Sequence, residues 1–314
     1  MLTVVIPVYR NEGSIPELLD VVEGLNANLK GEFEAVFVVD GSPDRCYEIL
    51  LNTLPTRPFR AKLALLSRNF GSFSAIRAGL ETGEGKYFAV MAADLQEPPG
   101  LVLEMAGVLR SGDIDVAVGV REKREDPLMA RIPSKIFWGL YRRFVIPEIP
   151  SGGVDIFACT QAFRDQLLQM EERHSSLIAE IFWLGYRRKF ITYSRRARKH
   201  GNSAWTLRKK MNYLMDSVFS FTDLPIRLLI RGGGAAVLVS GLLGLFVVVS
   251  RLLGLITVRG YAATILAIVF FGALNLLALG TVGSYAWRTY ENTKARPLHV
   301  ILRSHAFDPK QGTE

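Results

Sequence analysis

The chain has 314 residues, 49% of them apolar and 22% charged, with a net charge of +8. That length admits one large domain or two smaller ones, and the apolar share is high for a purely soluble protein. Two cysteines, Cys46 and Cys159, exclude a disulfide framework and fit a reducing compartment, while His174, His200, His299 and His305 lack zinc-ligand spacing.

Leu2 to Val8 (LTVVIPV) is a continuous apolar run rich in β-branched residues, as expected of a parallel strand covered on both faces. Nothing basic precedes it, so no signal peptide is expected. After a turn over Tyr9 to Ser14, a helix is predicted to about Leu29, with Ser14 as its cap and Glu17 three residues on. Phe33 to Val39 is a second strand, Arg45 to Leu54 a helix, Lys62 to Ser67 a third strand, Ser72 to Thr82 a helix, and Tyr87 to Ala92 a fourth strand. Strands alternating with helices at this spacing predict a doubly wound α/β sheet.

Polar residues collect after the strands: Asp40, Ser42 and Asp44, then Arg68 and Asn69, then Asp94 and Gln96 within VMAADLQEPP (Val90 to Pro99). In a parallel sheet these points share one edge, where such folds hold their ligands. The glycine fingerprint of dinucleotide-binding sheets is absent after the first strand, where Pro7-Val8-Tyr9-Arg10-Asn11-Glu12 stands instead. That counts against a nicotinamide or flavin dehydrogenase. A further apolar strand, Val116 to Val120, ends at Arg121.

Between Arg187 and Lys210 there are ten Lys and Arg and no Asp or Glu. From Ile226 to Trp287 the only charges are Arg227, Arg231, Arg251 and Arg259. Gly232 to Ser250 gives 19 uncharged residues and Tyr261 to Trp287 gives 27, against the ~20 that cross a bilayer core. Two transmembrane helices are predicted. Beside them, the basic block is read as facing anionic membrane lipid or a phosphorylated substrate, not nucleic acid. Ile132 to Ile146 and Met211 to Leu229 mix aromatic, aliphatic and basic residues and are read as interfacial stretches. Arg227 and Arg231 before the first span, with Arg288, Lys294 and Arg296 after the second, place both termini in the cytoplasm of an inner-membrane protein; Arg251 and Arg259 weigh the other way.

PVYRNE at 7–12, DGSPD at 40–44, RNFG at 68–71 and DLQEPP at 94–99 resemble the family 2 glycosyltransferases of GT-A fold. GGVDIF at 152–157, RKHGNSAW at 198–205, FSFTDLPIRLL at 219–229 and YENTKARPLHV at 290–300 narrow the resemblance to the polyprenyl-phosphate branch, which includes dolichyl-phosphate mannose synthases and GtrB-like enzymes. It covers nearly the whole chain.

The resemblance implies transfer of a sugar, with inversion, from a nucleoside diphosphate sugar, read as a UDP-hexose, to a polyprenyl phosphate. It implies Mg2+ or Mn2+ held by Asp94 and Gln96, Asp155 as general base, and donor nucleotide contacts from Pro7, Glu12, Asp40 and Asp94. The acceptor phosphate falls to Arg121, Arg198 and Ser203, with Arg195, Arg196 and Lys209 as weaker candidates. A phosphate monoester loses its second proton near pH 6, so Asp155 is read as orienting the acceptor as much as deprotonating it. Asp44 is alternatively a cap for the helix that follows.

Two positions depart from the family: Ala92 stands where relatives show the first Asp of DADLQ, and Val39 where they show the first Asp of DDGS. Both remove negative charge from the site.

The expected organisation is a cytoplasmic GT-A domain over 1–210, a juxtamembrane segment over 211–231, a two-helix hairpin over 232–287 and a cytoplasmic tail over 288–314. A homo-oligomer and a separate downstream flippase are implied partners. Two other readings stand beside this one. A processive polysaccharide synthase would need a Gln-x-x-Arg-Trp motif and more spans. A catalytically weak nucleotide-binding scaffold is the non-enzymatic reading that Val39 and Ala92 leave open.

Overall fold

In the computed structural model, which describes residues 1–122, 139, 141–143, 146–150, 154, 156–172, 175–195, 215–222, 224–253 and 261–309, the apolar runs become neighbouring strands of one sheet. β1 (Leu2–Val8) pairs in parallel with β2 (Phe33–Val39) and with β4 (Tyr87–Val90), and β2 pairs in parallel with β3 (Arg60–Leu66). Every residue of β2, and all of β1 but Pro7, is buried. Successive side chains enter opposite cores, as a two-residue repeat requires. Phe33, Ala35, Phe37 and Val39 pack with α1 (Ile15–Asn28), α2 (Cys46–Thr53) and α4 (Pro99–Arg110). Val36 and Val38 pack on the other face with Ala75 and Ala78 of α3 (Ser72–Thr82). A side chain at Gly79 would meet a Val5 methyl at 2.2 Å, so glycine sets how closely α3 lies on the sheet.

The predicted helix start at Ser14 holds, but not for the expected reason. The Ser14 side chain does not cap α1; its hydroxyl donates to the carbonyls of Ala93 (2.9 Å) and Asn11 (3.0 Å), tying the loop after β1 to the loop after β4.

The sheet has eight strands in the order β7-β5-β6-β4-β1-β2-β3-β8. β5 (Val116–Arg121) and β6 (Phe157–Thr160) follow α4, then α5 (Gln161–Leu168), α6 (Leu177–Trp183) and β7 (Arg188–Tyr193). β6 runs antiparallel to both β4 and β5, so β5 is parallel to β4; β7 is parallel to β5. The sheet is thus mostly parallel, as expected, with two reversed strands.

The second reversed strand lies within the expected tail: β8 (Ile301–Phe307) joins the sheet as an edge strand antiparallel to β3. Ser67 N–H donates to Val300 O at 2.9 Å, Tyr47 Oη lies 3.0 Å from His305 Nε2, and His299 Nε2 lies 3.1 Å from Glu81.

The chain forms two units, Met1–Met211 with Pro297–Glu314, and Asn212–Arg296. The second contains α7 (Leu224–Leu252) and α8 (Tyr261–Thr293). Among the described residues one segment, Phe270–Thr293, is long and apolar enough to cross a membrane. The other expected span lies in α7, where Leu238, Leu242, Leu245 and Phe246 are exposed. Before α7, residues 215–221 are helical, and Asp216 accepts from Arg288 at 2.8 Å. Of the stretch read as interfacial over 132–146, Tyr141 is fully buried and Arg142 and Arg143 are exposed; most of the rest lies outside the described residues.

Candidate active site

Because β1 to β5 and β7 run the same way, their carboxyl ends meet along one edge. The loops there are cross-linked. Arg10 N–H donates to Ser42 Oγ (2.8 Å), Glu12 N–H to Asp44 (3.2 Å), and Ser42 Oγ to Asp44 (2.6 Å). Glu12 accepts from Arg45 through both the guanidinium, at 2.7 Å, and the backbone N–H, at 3.2 Å. That hydrogen bonding holds the Glu12 carboxyl below its ordinary range. Asp44 accepts from Cys46 N–H at 3.4 Å, in keeping with the reading of it as a local cap. Burial, joined by the neighbouring Asp44, pushes the Cys46 thiol up to about 12, so it is no nucleophile at neutral pH.

Asp40, assigned to the donor nucleotide by the resemblance, also braces a neighbouring loop. It is 2% exposed, and its two oxygens accept from Phe70 N–H (2.7 Å) and Gly71 N–H (2.9 Å). Burial raises its pKa, against the pull of those two donors. Asp40 therefore shapes the loop entering α3. Gly41 makes that contact close, since a Cβ there would lie 2.3 Å from the Arg68 carbonyl carbon and its φ is +54°. Pro7 sits inside β1 opposite Val38.

The turn after β4 carries the acidic motif. Leu95 adopts φ +53°, a conformation costly for a branched apolar residue, and Gln96 N–H donates to Asp94 Oδ1 at 3.4 Å. The strained turn sets a carboxylate and an amide oxygen two residues apart. Gln96 is 8% exposed and Glu97 3%. Arg195, two residues past the end of β7, reaches this turn: its guanidinium hydrogen-bonds the Gln96 amide oxygen and lies 3.8 Å from Glu97. The ten-cation block pointed to a basic wall, but the pairing of Arg195 with Gln96 and Glu97 spans 99 residues and has no local sequence signal.

Arg121 ends β5 opposite Tyr193 of β7, on the same edge as Asp94. The structure thus brings Glu12, Asp94, Gln96, Arg121 and Arg195 to one rim. Asp155, Arg198, Ser203, Arg196 and Lys209 lie outside the described residues.

Among the described residues no three His, Cys, Asp or Glu side chains cluster as a metal site. Asp94 and Gln96 nonetheless fit a hard divalent cation, which takes oxygen ligands and keeps open positions for water or phosphate.

Residues 3–170 match glycosyl transferase family 2. The chain belongs to that family. It is therefore a sugar-transferring enzyme by membership, and its similarity to other members runs beyond the matched domain. It is 30% identical to an uncharacterised glycosyltransferase of Synechocystis sp. over 96% of this chain and 94% of that one. It is 30% identical to the uncharacterised glycosyltransferase YkcC of Bacillus subtilis over 98% and 95%. An undecaprenyl-phosphate 4-deoxy-4-formamido-L-arabinose transferase of Pseudomonas paraeruginosa is 32% identical over 96% and 90%. Among solved structures, glucosyl-3-phosphoglycerate synthase from Mycobacterium tuberculosis is 16% identical with a TM-score of 0.47, covering 73% of this chain and 78% of that one.

Proposed function

We propose that this family member is a membrane-anchored inverting glycosyltransferase that moves a sugar from a nucleoside diphosphate sugar, a UDP-hexose, to a polyprenyl phosphate. The observation that carries this reading is the end-to-end match, helices included, to a relative named for transfer to undecaprenyl phosphate. The rim of the site supports it, with carboxylate and amide oxygens at Asp94 and Gln96 and a guanidinium at Arg121.

An oxygen of the lipid phosphate attacks the anomeric carbon. The bond from that carbon to the donor's diphosphate oxygen breaks on the opposite face, and its electron pair leaves with the nucleoside diphosphate. The leaving group gains negative charge, which Mg2+ or Mn2+ would neutralise. In this chain Asp94 and Gln96 would hold that ion. Glu12 and Pro7 lie on the donor side, Asp40 holds the loop over 68–71, and Arg121 with Arg198 and Ser203 holds the acceptor phosphate, for which the forked guanidinium is suited. Asp155 orients that phosphate and takes a proton from its monoanion.

The product is a polyprenyl-phosphate sugar for envelope glycan modification, carried across by a separate flippase. The catalytic domain and both termini face the cytoplasm, α7 and α8 both span, and the basic flanks meet anionic lipid.

Full-length protein is incubated with a panel of labelled nucleotide sugars, undecaprenyl phosphate and Mg2+ or Mn2+. A lipid-linked sugar is expected with at least one donor, and none with any donor sinks the reading. Asp94→Asn is expected to reduce the rate by roughly 100-fold, the factor given by about 3 kcal/mol of lost charge stabilisation.

A further inference from the structure

Arg195 places a fixed positive charge on the turn that the proposed mechanism uses for its cation. Its guanidinium bonds the Gln96 amide oxygen, the same oxygen that would ligate a metal, and its Nε lies 3.8 Å from the Glu97 carboxylate. Glu97 is 3% exposed, so its ionised form needs a compensating charge, and Arg195, itself largely covered, supplies one. The guanidinium has five donors in a rigid fork, which lets it serve Gln96 and Glu97 together. The turn therefore carries its own cation.

We infer that Arg195 is a resident counter-cation of the Asp94–Gln96 turn, competing with the divalent ion for the Gln96 oxygen and withdrawing toward Glu97 when the ion binds. Resting on the metal reading given above, this deepens it by naming a residue that sets the ion's affinity. The consequence runs opposite to that of losing a ligand: removing Arg195 tightens metal binding. A single positive charge beside a divalent ion in near-aqueous dielectric weakens its binding roughly three- to tenfold. Arg195 is thus a positioning residue, with Gln96 as the group through which it acts.

The test is Mn2+ binding to full-length protein in detergent without nucleotide, read from the electron paramagnetic resonance signal of free Mn2+. Arg195→Gln is expected to bind Mn2+ roughly three- to tenfold more tightly than the parent. Arg195→Lys keeps the charge but loses the fork, and is expected to lie between the two. Asp94→Asn is expected to lose binding in every background. If Asp94→Asn binds Mn2+ like the parent, the metal reading itself fails. If Asp94→Asn loses binding while Arg195→Gln binds no more tightly than the parent, the metal site stands and the role given to Arg195 is overturned. Should Arg195→Gln not fold, Arg195→Lys decides alone, since parental or weaker affinity in that variant overturns the inference.

Discussion

Asp115 and Arg187 join the strand ends on the side of the sheet opposite the site. Arg187 Nε and Nη2 donate to the two Asp115 oxygens at 2.9 and 3.0 Å, and Asp115 N–H donates to Arg187 O at 3.0 Å. The guanidinium holds the Asp115 carboxyl below its ordinary range. A carboxyl depressed in the folded state stabilises the fold above its unfolded value, about 3.9, and loses that contribution as pH falls through the folded value. Arg187 is 60% exposed, so solvent screens the pair and its contribution is small. Asp115→Asn is thus expected to melt a few degrees lower at pH 7, with the gap closing below about pH 4. Thermal denaturation at both values checks it, and a gap that survives acid would remove the charge explanation. Asp40 shifts the other way, because burial outweighs its two N–H donors. Its acidity and its place after a strand were legible in DGSPD. Its burial was not, because that depends on Phe70 and Gly71, thirty residues on.

Helices and strands differ in how clearly the chain announces them. β1 and β2 fall on the predicted bounds, because strands covered on both faces must be apolar throughout. β7 and β8 carry Lys189, Arg303 and Ser304 at exposed positions, and as edge strands each has one partner, so neither periodicity nor apolar content marks them. The Asp94–Gln96 motif was legible because its residues are adjacent; Arg195 was not, because folding alone brings it there. The β8 strand has its own consequence. It pairs Ala61 to Leu66 of β3 with Ile301 to Phe307, and its loss leaves that ladder open. Removing residues 299–314 deletes several ladder hydrogen bonds, each a net ~0.5–1.5 kcal/mol and partly offset by the ordering cost of the strand. A loss of roughly 3 kcal/mol is expected. A truncated protein melting at the parental temperature would show that β8 does not close the sheet.

The same strand constrains the whole molecule. The chain leaves the catalytic unit at Met211 and re-enters it at Pro297, and β8 then lies beside β3 in one sheet. Whatever bilayer the intervening helices meet, they must cross it an even number of times; a single crossing would put β8 and β3 on opposite sides. If the Phe270–Thr293 segment spans, α7 must span as well, and its 19 uncharged residues over Gly232–Ser250 are close to the ~20 required. The basic residues outside the hairpin, Arg227, Arg231, Arg288, Lys294 and Arg296, outnumber Arg251 and Arg259 near its turn, and the cytoplasmic side proposed above for both termini rests on that bias. Cysteine labelling in intact cells checks both steps, because native Cys46 and Cys159 are buried and do not react in the folded protein. A cysteine added at either terminus is expected to react with an impermeant reagent only after permeabilisation, whereas Val258→Cys is expected to react in intact cells. Termini on opposite sides would mean that β3 and β8 do not pair in the membrane-bound protein. Protection of all three sites would mean that the hairpin enters the bilayer without crossing it.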